Sequence, residues 1–312
     1  LLGFGAAGLT VADVLRSGAT NFDDTMSALI TRTYNTGYLL GDIRGAWVAN
    51  SDTADRSYKA NTLTESGTVT EGAVASGAEL KGYSGWSTSN FLRRADDADY
   101  NNFASGASIT LTGWFKSTGN SALELLWGIG DQPTNSRRFQ VRLDADGKLR
   151  AMARGTGGEK TVATTQAWDD SAWHMVTFVQ YGDLDRDLYV DGNVEATLDL
   201  TAGSMAGAAV TFNIGIDPND EQPATSSTIS LVRLSASAMT AAQVKEMYEA
   251  EAPMFEANAK VLLQSGSTDA VLDTKVDPLS GKYIVTQTDS QEIFNGLAIE
   301  TERTVATGGS TF

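Results

Sequence analysis

Between residues 107 and 236 the chain returns repeatedly to one pattern, a strand-length run of alternating apolar and polar residues followed by a turn signal. The runs are 107-ASITLTGWFKS-117, 122-ALELLWGIGD-131, 137-RRFQVRLDADGKLRAMAR-154, 173-WHMVTFVQYG-182, 187-DLYVDGNVEATLD-199, 208-AAVTFNIGI-216 and 227-STISLVRLSA-236. In a strand successive side chains point to opposite faces, so each run presents one apolar face that a single sheet cannot bury by itself. Two runs carry Asp-Gly, at Asp146–Gly147 and Asp191–Gly192, the strongest short-range hairpin signal. Many short strands joined by tight turns imply an all-β antiparallel sandwich.

The segment just after these runs is helical. In 239-MTAAQVKEMYEAEAP-253, Thr240 and Gln243 have capping-box spacing, Val244, Met247 and Tyr248 share a face, and Pro253 marks the end. Residues 10–33 also show helical spacing, with Val11, Val14 and Leu15 and then Met26, Leu29 and Ile30, and read as a short docking arm. The stretch that follows is rich in Thr, Ser, Gly and Ala and reads as extended linker. Near the other end, 271-VLDTKVDPLSGKYIVTQTDSQEIFNGLAIET-301 reads as one β-hairpin unit about the turn 277-DPLSG-281. The expected organisation is therefore an N-terminal helical arm over 1–33, a linker over 34–74, the sandwich over 75–252 and a small β unit over 253–312.

Composition narrows the partners. A formal net charge of −16 opposes phosphate backbones and anionic lipid, so neither nucleic acid nor membrane insertion is expected. With no cysteine, disulfides, thiolate metal sites and a cysteine nucleophile are excluded together. No apolar run approaches the roughly 20 residues of a membrane-spanning helix. The opening LLGFGAAGL has neither a basic signal-peptide region nor an initiator Met, and a processed or partial product is expected.

His174 is the only histidine. In WHMVTFV the alternation puts Trp173, Met175, Thr177 and Val179 on one face and His174, Val176 and Phe178 on the other, so His174 reads as a strand histidine with a hydrogen-bonding partner. No second histidine and no G-x-S-x-G elbow accompany it, which argues against a Ser-His-Asp triad and against a histidine zinc site. Tyr83 and Trp86, in 82-GYSGWSTSNF-91, sit among glycines and polar residues, where an aromatic either stacks on a sugar or closes the edge of a core. The triplet Asp183, Asp185 and Asp187 invites a calcium reading, but Leu188 stands where an EF-hand needs Gly, and a solvated acidic turn is expected.

Taken in order, SITLTGWFK, LLWGIGD, FQVRLDADGKLRA, WHMVTFV followed by DLYVDGN, and TISLVRLSASAMTAAQVKEMYEA resemble the laminin-G-like, concanavalin A-like jelly roll over roughly residues 75–252. The resemblance implies an antiparallel jelly-roll β-sandwich with a short helix after its last strand. It also implies one calcium at the sandwich rim, with Asp131 in the first position and Asp217 or Asn219 near the second, and recognition of carbohydrate or protein at the same rim. The flanks YNTGYLLGDIRGAWVANSDTAD and VDPLSGKYIVTQTDSQEIFNGLAIETER resemble segments around such domains in tailed-bacteriophage fibre and other virion appendage proteins. The function this implies is a non-enzymatic structural or adhesive virion protein, a tail fibre or similar appendage, binding host-surface glycan through the jelly-roll rim. Neighbouring virion proteins would be held through the arm, and a homo-oligomer, a trimer by family habit, is expected. A secreted bacterial carbohydrate-binding or adhesion module is the alternative. A glycoside hydrolase is the third reading; it lacks the alternating-acid strand of related enzymes and would have to use Asp183, Asp185 and Asp187.

Overall fold

The computed structural model describes residues 42–304 except 50–52, 58, 79, 101–102, 104–105, 132–135, 183–184, 200–201, 206–209, 260–270, 278–281, 289 and 296–297. The expected arm over 1–33 and Asp183 lie outside the described residues.

Fifteen strands of the described residues build a two-layer sandwich. They are β1 (Ile43–Trp47), β2 (Thr64–Ser66), β3 (Thr70–Ala73), β4 (Lys81–Ser84), β5 (Phe91–Arg94), β6 (Ile109–Ser117), β7 (Glu124–Asp131), β8 (Arg138–Leu143), β9 (Lys148–Gly155), β10 (Gly158–Ala167), β11 (His174–Tyr181), β12 (Asp185–Val190), β13 (Asn193–Asp199), β14 (Val210–Ile214) and β15 (Ser227–Ser235). The first sheet runs β13-β12-β11-β6-β15-β4-β3, with β1 also paired to β15; the second runs β10-β9-β8-β7-β14-β5-β2. Every pairing is antiparallel, as the sequence pattern predicts. Both Asp-Gly pairs make hairpins, by different geometries. Asp191 (φ 50°) and Gly192 (φ 77°) are both left-handed, the requirement of a two-residue turn. Between β8 and β9 only Gly147 is left-handed (φ 75°) and its N–H donates to Asp144 O at 2.9 Å, giving a three-residue loop.

Apolar side chains from both sheets meet in the middle. Phe139 of the second sheet stacks on Phe178 of the first with ring centroids 4.3 Å apart, and Trp47 stacks on Phe212 at the same separation. Trp127 reaches across to the first sheet, where Gly113 of β6 leaves room for its ring. A bulge at Leu231 (φ 49°) divides β15, so that β4 pairs with it at Ile229 and β1 pairs along Val232–Ser235.

The outer face of the first sheet carries a second apolar cluster. Alternation sends Met175 and Val179 outward, away from Val176 and Phe178, and these meet Val244 and Met247 of α1 (Ala241–Glu251). Thr240 and Gln243 form the expected capping box. A 3-10 turn over Ala252–Phe255 follows, and Trp114 lies between Tyr248, at 5.7 Å, and Phe255, at 4.2 Å. This sheet is thus closed on both sides. Among the described residues no helix is long and apolar enough to cross a membrane.

Two boundaries differ from expectation. The linker read over 34–74 contributes β1, β2 and β3 to the sandwich, and its Asp55 is buried, accepting hydrogen bonds from the N–H groups of Ala46, Ser57 and Asn61 at 2.7–2.8 Å. The C-terminal unit is a four-stranded antiparallel sheet rather than one hairpin: β16 (Val271–Val276), β17 (Tyr283–Gln287), β18 (Ser290–Asn295) and β19 (Ala298–Thr304). The hairpin expected about residues 277–281 joins β16 to β17, and two more strands continue the meander.

Candidate functional site

Alternation along the second sheet decides what its outer face presents. Phe139, Val141 and Leu143 of β8 and Leu149, Ala151 and Ala153 of β9 enter the core, so Arg138, Gln140 and Arg142, and Arg150, Met152 and Arg154, point outward. The register sets them in rows. Arg138 is opposite Arg154, Gln140 opposite Met152, and Arg142 opposite Arg150. The Gln140 row continues through Gly128 of β7 and Asn213 of β14 to Arg93 of β5, and the Arg138 row through Gly130 to Thr211. Four arginines therefore stand at the corners of a rectangle, about 13 Å along the strands and about 5 Å across them at the backbone. Next to it runs a strip of two glycines without side chains. Helix α1 and the 3-10 turn cover the other sheet, whereas this one carries polar and charged groups on its outer face.

The rectangle is not evenly neutralised. Asp144 serves the lower pair, with a carboxylate oxygen 2.5 Å from Arg150 Nη2 and the other 3.6 Å from Arg142 Nε. Among the described residues no side-chain hydrogen bond or ion pair reaches the guanidinium of Arg138 or Arg154. Burial pushes the guanidinium of Arg138 below the usual arginine value, opposed chiefly by the charge of Asp217; burial does the same to Arg142, opposed by Asp144. Between the pairs, Gln140 is 1% exposed and its side-chain amide nitrogen has no hydrogen-bond partner. The loop 215–226 borders the face, held by Arg93, whose guanidinium donates to Asn213 Oδ1 (2.5 Å), Asp217 O (3.2 Å) and Asp220 Oδ1 (2.6 Å).

The rim residues expected to hold calcium are here, differently employed. Asp131 accepts from Ser136 Oγ at 2.6 Å and from the Arg137 N–H at 2.8 Å. Asp217 Oδ1 accepts from the N–H groups of Glu221 (2.7 Å) and Asn219 (3.2 Å). Both carboxylates act electrostatically on Arg138, so a guanidinium supplies the positive charge that a cation would bring. Burial raises the pKa of Asp217. No cluster of three or more His, Cys, Asp or Glu suited to a metal occurs among the described residues. Asp131 and Asp217 are thus engaged by neighbouring N–H and O–H groups, while Asn219 Oδ1 is buried with no hydrogen-bond partner among the described residues. Calcium or a chelator is accordingly expected to leave the thermal midpoint unchanged; a rise of several degrees with millimolar calcium would restore the metal.

Tyr83 and Trp86 are core residues, 2% and 3% exposed, packed edge to face with centroids 6.2 Å apart. Gly215, far along the chain, makes the room: a Cβ there would collide with the Trp86 ring. Neither can stack on a sugar. Of the acidic triplet, Asp185 is exposed at the first residue of β12 beside the turn, and Asp187 accepts from Tyr189 OH at 3.0 Å. The arginine rows are what sequence reading passed over, although 138-RFQVRLDADGKLRAMAR-154 places an arginine every fourth residue on each arm of a hairpin already marked by Asp-Gly.

His174 is a strand histidine clamped at both nitrogens, Nδ1 to Asp191 Oδ2 at 2.8 Å and Nε2 to Asp170 Oδ1 at 3.0 Å. Asp191 also accepts the Met175 N–H at 2.9 Å, tying the β12–β13 turn to β11. Burial works against the imidazolium, but the hydrogen bonds and charges of the two carboxylates outweigh it and raise the pKa above the ordinary 6.5. A raised folded pKa gives stability that is complete below about 6.5 and is lost as pH rises through the folded value. The urea midpoint is expected to fall on going from pH 6 to pH 9, and His174→Gln to flatten that slope. A slope of the same size in the variant would assign it to another group.

Residues 93–245, just under half of the chain, match the family model described as the concanavalin A-like lectin/glucanases superfamily. No curated protein sequence matches. Among solved structures, domain 4 of AbnA, a GH43 extracellular arabinanase from Geobacillus stearothermophilus, in complex with arabinotriose, is similar with a TM-score of 0.53 and 16% identity, covering 66% of this chain and 98% of that one. The binding domain of Paraclostridial Mosquitocidal Protein 1 is similar with a TM-score of 0.55 and 12% identity, over 86% and 69%. The binding domain of botulinum neurotoxin serotype G follows at 0.52 and 9% identity, over 85% and 65%. At these identities the likeness is one of fold: the sandwich is a concanavalin A-like jelly roll.

Proposed function

We propose that this jelly roll is a non-catalytic carbohydrate-binding module of a virion appendage, and that it holds its glycan on the outer face of the second sheet. The observation that carries the reading is the asymmetry between the sheets. One outer face is sealed by α1 and the 3-10 turn over an apolar cluster, whereas the other presents Arg138 and Arg154, with the Gln140 amide buried beside them and Gly130 beneath Pro218. A buried amide without a hydrogen-bond partner is a net penalty to the fold that a bound hydroxyl would relieve. Loops and faces on a rigid sandwich are where such folds carry recognition.

The similar arabinanase domain is in complex with arabinotriose, and the similar toxin domains are binding domains, which supports a binding role for this one. The flanking segments that resemble phage appendage proteins support a virion setting. There, residues 1–33 would dock the chain to neighbouring virion proteins, and several copies, three in the simplest symmetric case, would engage a host surface together. Weak single contacts then become strong by effective concentration. The employment of Asp187 by Tyr189 and the exposure of Asp185 at a turn support a non-catalytic assignment.

The test is binding of the full chain to a panel of immobilised oligosaccharides, neutral and acidic, read alongside imaging of the native particle. Saturable binding to at least one sugar and symmetric copies on a virion are expected. A chain that binds no sugar at any concentration up to millimolar would sink the reading.

A further inference from the structure

The outward positions of the second sheet contain no open aromatic platform: Phe91 of β5, which shares the outer face with Arg93, is 8% exposed and lies under the Arg93 guanidinium, 4.6 Å from its ring centroid. On β8, β9, β7 and β14 they are Arg138, Gln140 and Arg142, Arg150, Met152 and Arg154, Gly128 and Gly130, and Thr211 and Asn213, while Trp86 and Trp127 turn into the core. Stacking on the apolar face of a neutral sugar is therefore unavailable. Charge and hydrogen bonding remain, and resting on the binding role proposed above, we infer that this face selects an acidic saccharide, one bearing carboxylate or sulfate groups, through Arg138 and Arg154 with Gln140 beside them.

The protein itself shows what such a pair accepts. Arg142 and Arg150 are directly opposite each other and hold the carboxylate of Asp144 between them. Arg138 and Arg154 repeat that cross-strand arrangement four residues along each strand, with no carboxylate paired to either among the described residues. The nearby acids are otherwise occupied. Asp131 accepts from Ser136 and Arg137, Asp217 from Asn219 and Glu221, and Glu159, opposite Arg154, accepts from Thr161 Oγ1 at 3.3 Å. The Arg138 Nε is also buried without a hydrogen-bond partner. A guanidinium presents its N–H groups as a planar fork matched to an oxyanion, and charge-assisted hydrogen bonds of that kind are about twice as strong as neutral ones. The Gln140 amide adds a neutral donor one position away on the same face, suited to the ring hydroxyl next to the acid.

The overall charge sharpens the choice. A net −16 repels long polyanions such as nucleic acid, while a short acidic saccharide meets the guanidinium pair of Arg138 and Arg154, about 5 Å apart at the backbone, in a field that Asp217, Glu159 and Asp131 partly offset at Arg138. Salt should weaken the contact accordingly.

The deciding experiment is calorimetric titration of the full chain with three oligosaccharides of equal length: an oligogalacturonate, a sulfated oligosaccharide and a neutral glucan. At least about tenfold tighter binding of one or both acidic probes, weakening with salt, is expected; the two arms separate carboxylate from sulfate. In the Arg138→Gln/Arg154→Gln double variant the preference should vanish while the thermal midpoint stays near that of the parent. Equal affinity for acidic and neutral probes overturns the acidic selection and leaves the glycan-binding role standing, whereas no binding of any probe removes both. A preference that survives the double variant overturns the assignment to this pair. Should the double variant fail to fold, Arg154→Gln is measured with the Gln140 side-chain amide resonance of the parent, which the acidic probe must shift; an unmoved resonance counts against the site.

Discussion

Replacing Glu251 with Ala is expected to destabilise the protein by about 3–5 kcal/mol, measured as a lower urea midpoint by circular dichroism. Glu251 ends the buried face of α1 that begins with Val244 and Met247, and it is fully buried. Its two oxygens accept from Arg233 Nη1 at 2.6 Å and Nη2 at 2.9 Å, and the second also accepts from Trp114 Nε1. Arg233 lies on β15 and is itself 3% exposed, so the pair fastens the helix to the sheet where water cannot replace a lost partner. Truncation leaves a buried guanidinium without its counter-charge and an indole N–H without its acceptor, which is why the effect exceeds that of a surface pair. Removing both charges together, Glu251→Met with Arg233→Met, should recover most of the loss, because well-packed apolar residues often match a buried pair. A single variant within about 1 kcal/mol of the parent would mean that water or another group reaches Arg233, and that the helix is held by its apolar face alone.

Much of this architecture is legible in the sequence, for reasons particular residues make plain. In WHMVTFV strict alternation fixes two faces, and the structure uses both, Val176 and Phe178 between the sheets and Met175 and Val179 under α1. Thr240 and Gln243 announce the helix because capping is a local interaction. The missed strands lack that local signature. β10, GEKTVATTQA, places only Val162 and Thr164 in buried positions, and β2 to β4 are three or four residues each; all are held by their neighbours rather than by their own pattern. Tyr83 and Trp86 look exposed because the polar residues beside them are close in sequence, whereas Gly215, which opens the space for Trp86, is not. The rim carboxylates mislead for a similar reason: their spacing is visible, but not the guanidinium of Arg138 that shares their field. Conversely, the arginine rectangle could have been read, since a hairpin with Asp-Gly at its turn fixes which residues face each other.

The same face supplies the other large effect. Gly128→Ala is expected to lower stability by about 2–5 kcal/mol, combining strain from a backbone conformation unsuited to a side chain with overpacking against the next strand. Gly128 has φ 154°, and a Cβ there would stand 2.5 Å from Phe139 O and 2.6 Å from Gln140 Cα, both backbone atoms of β8. No rotamer change relieves such contacts; β7 and β8 would have to separate in the middle of the sheet, where Gly128 is opposite Gln140. Gly72→Ala on β3 is the control, since a Cβ there meets nothing within 4 Å, and it should stay within about 0.5 kcal/mol of the parent. Guanidinium unfolding of the two variants side by side would decide the matter, and equal midpoints would show that the ladder yields at Gly128. Because the row through Gly128 also carries Gln140 and Asn213, any spreading of β7 from β8 would change the spacing of the polar groups proposed to meet the saccharide. Affinity should then fall together with stability in Gly128→Ala, whereas Arg138→Gln/Arg154→Gln should lower affinity for acidic sugars alone, and that contrast separates a face that must be built from the charges it presents.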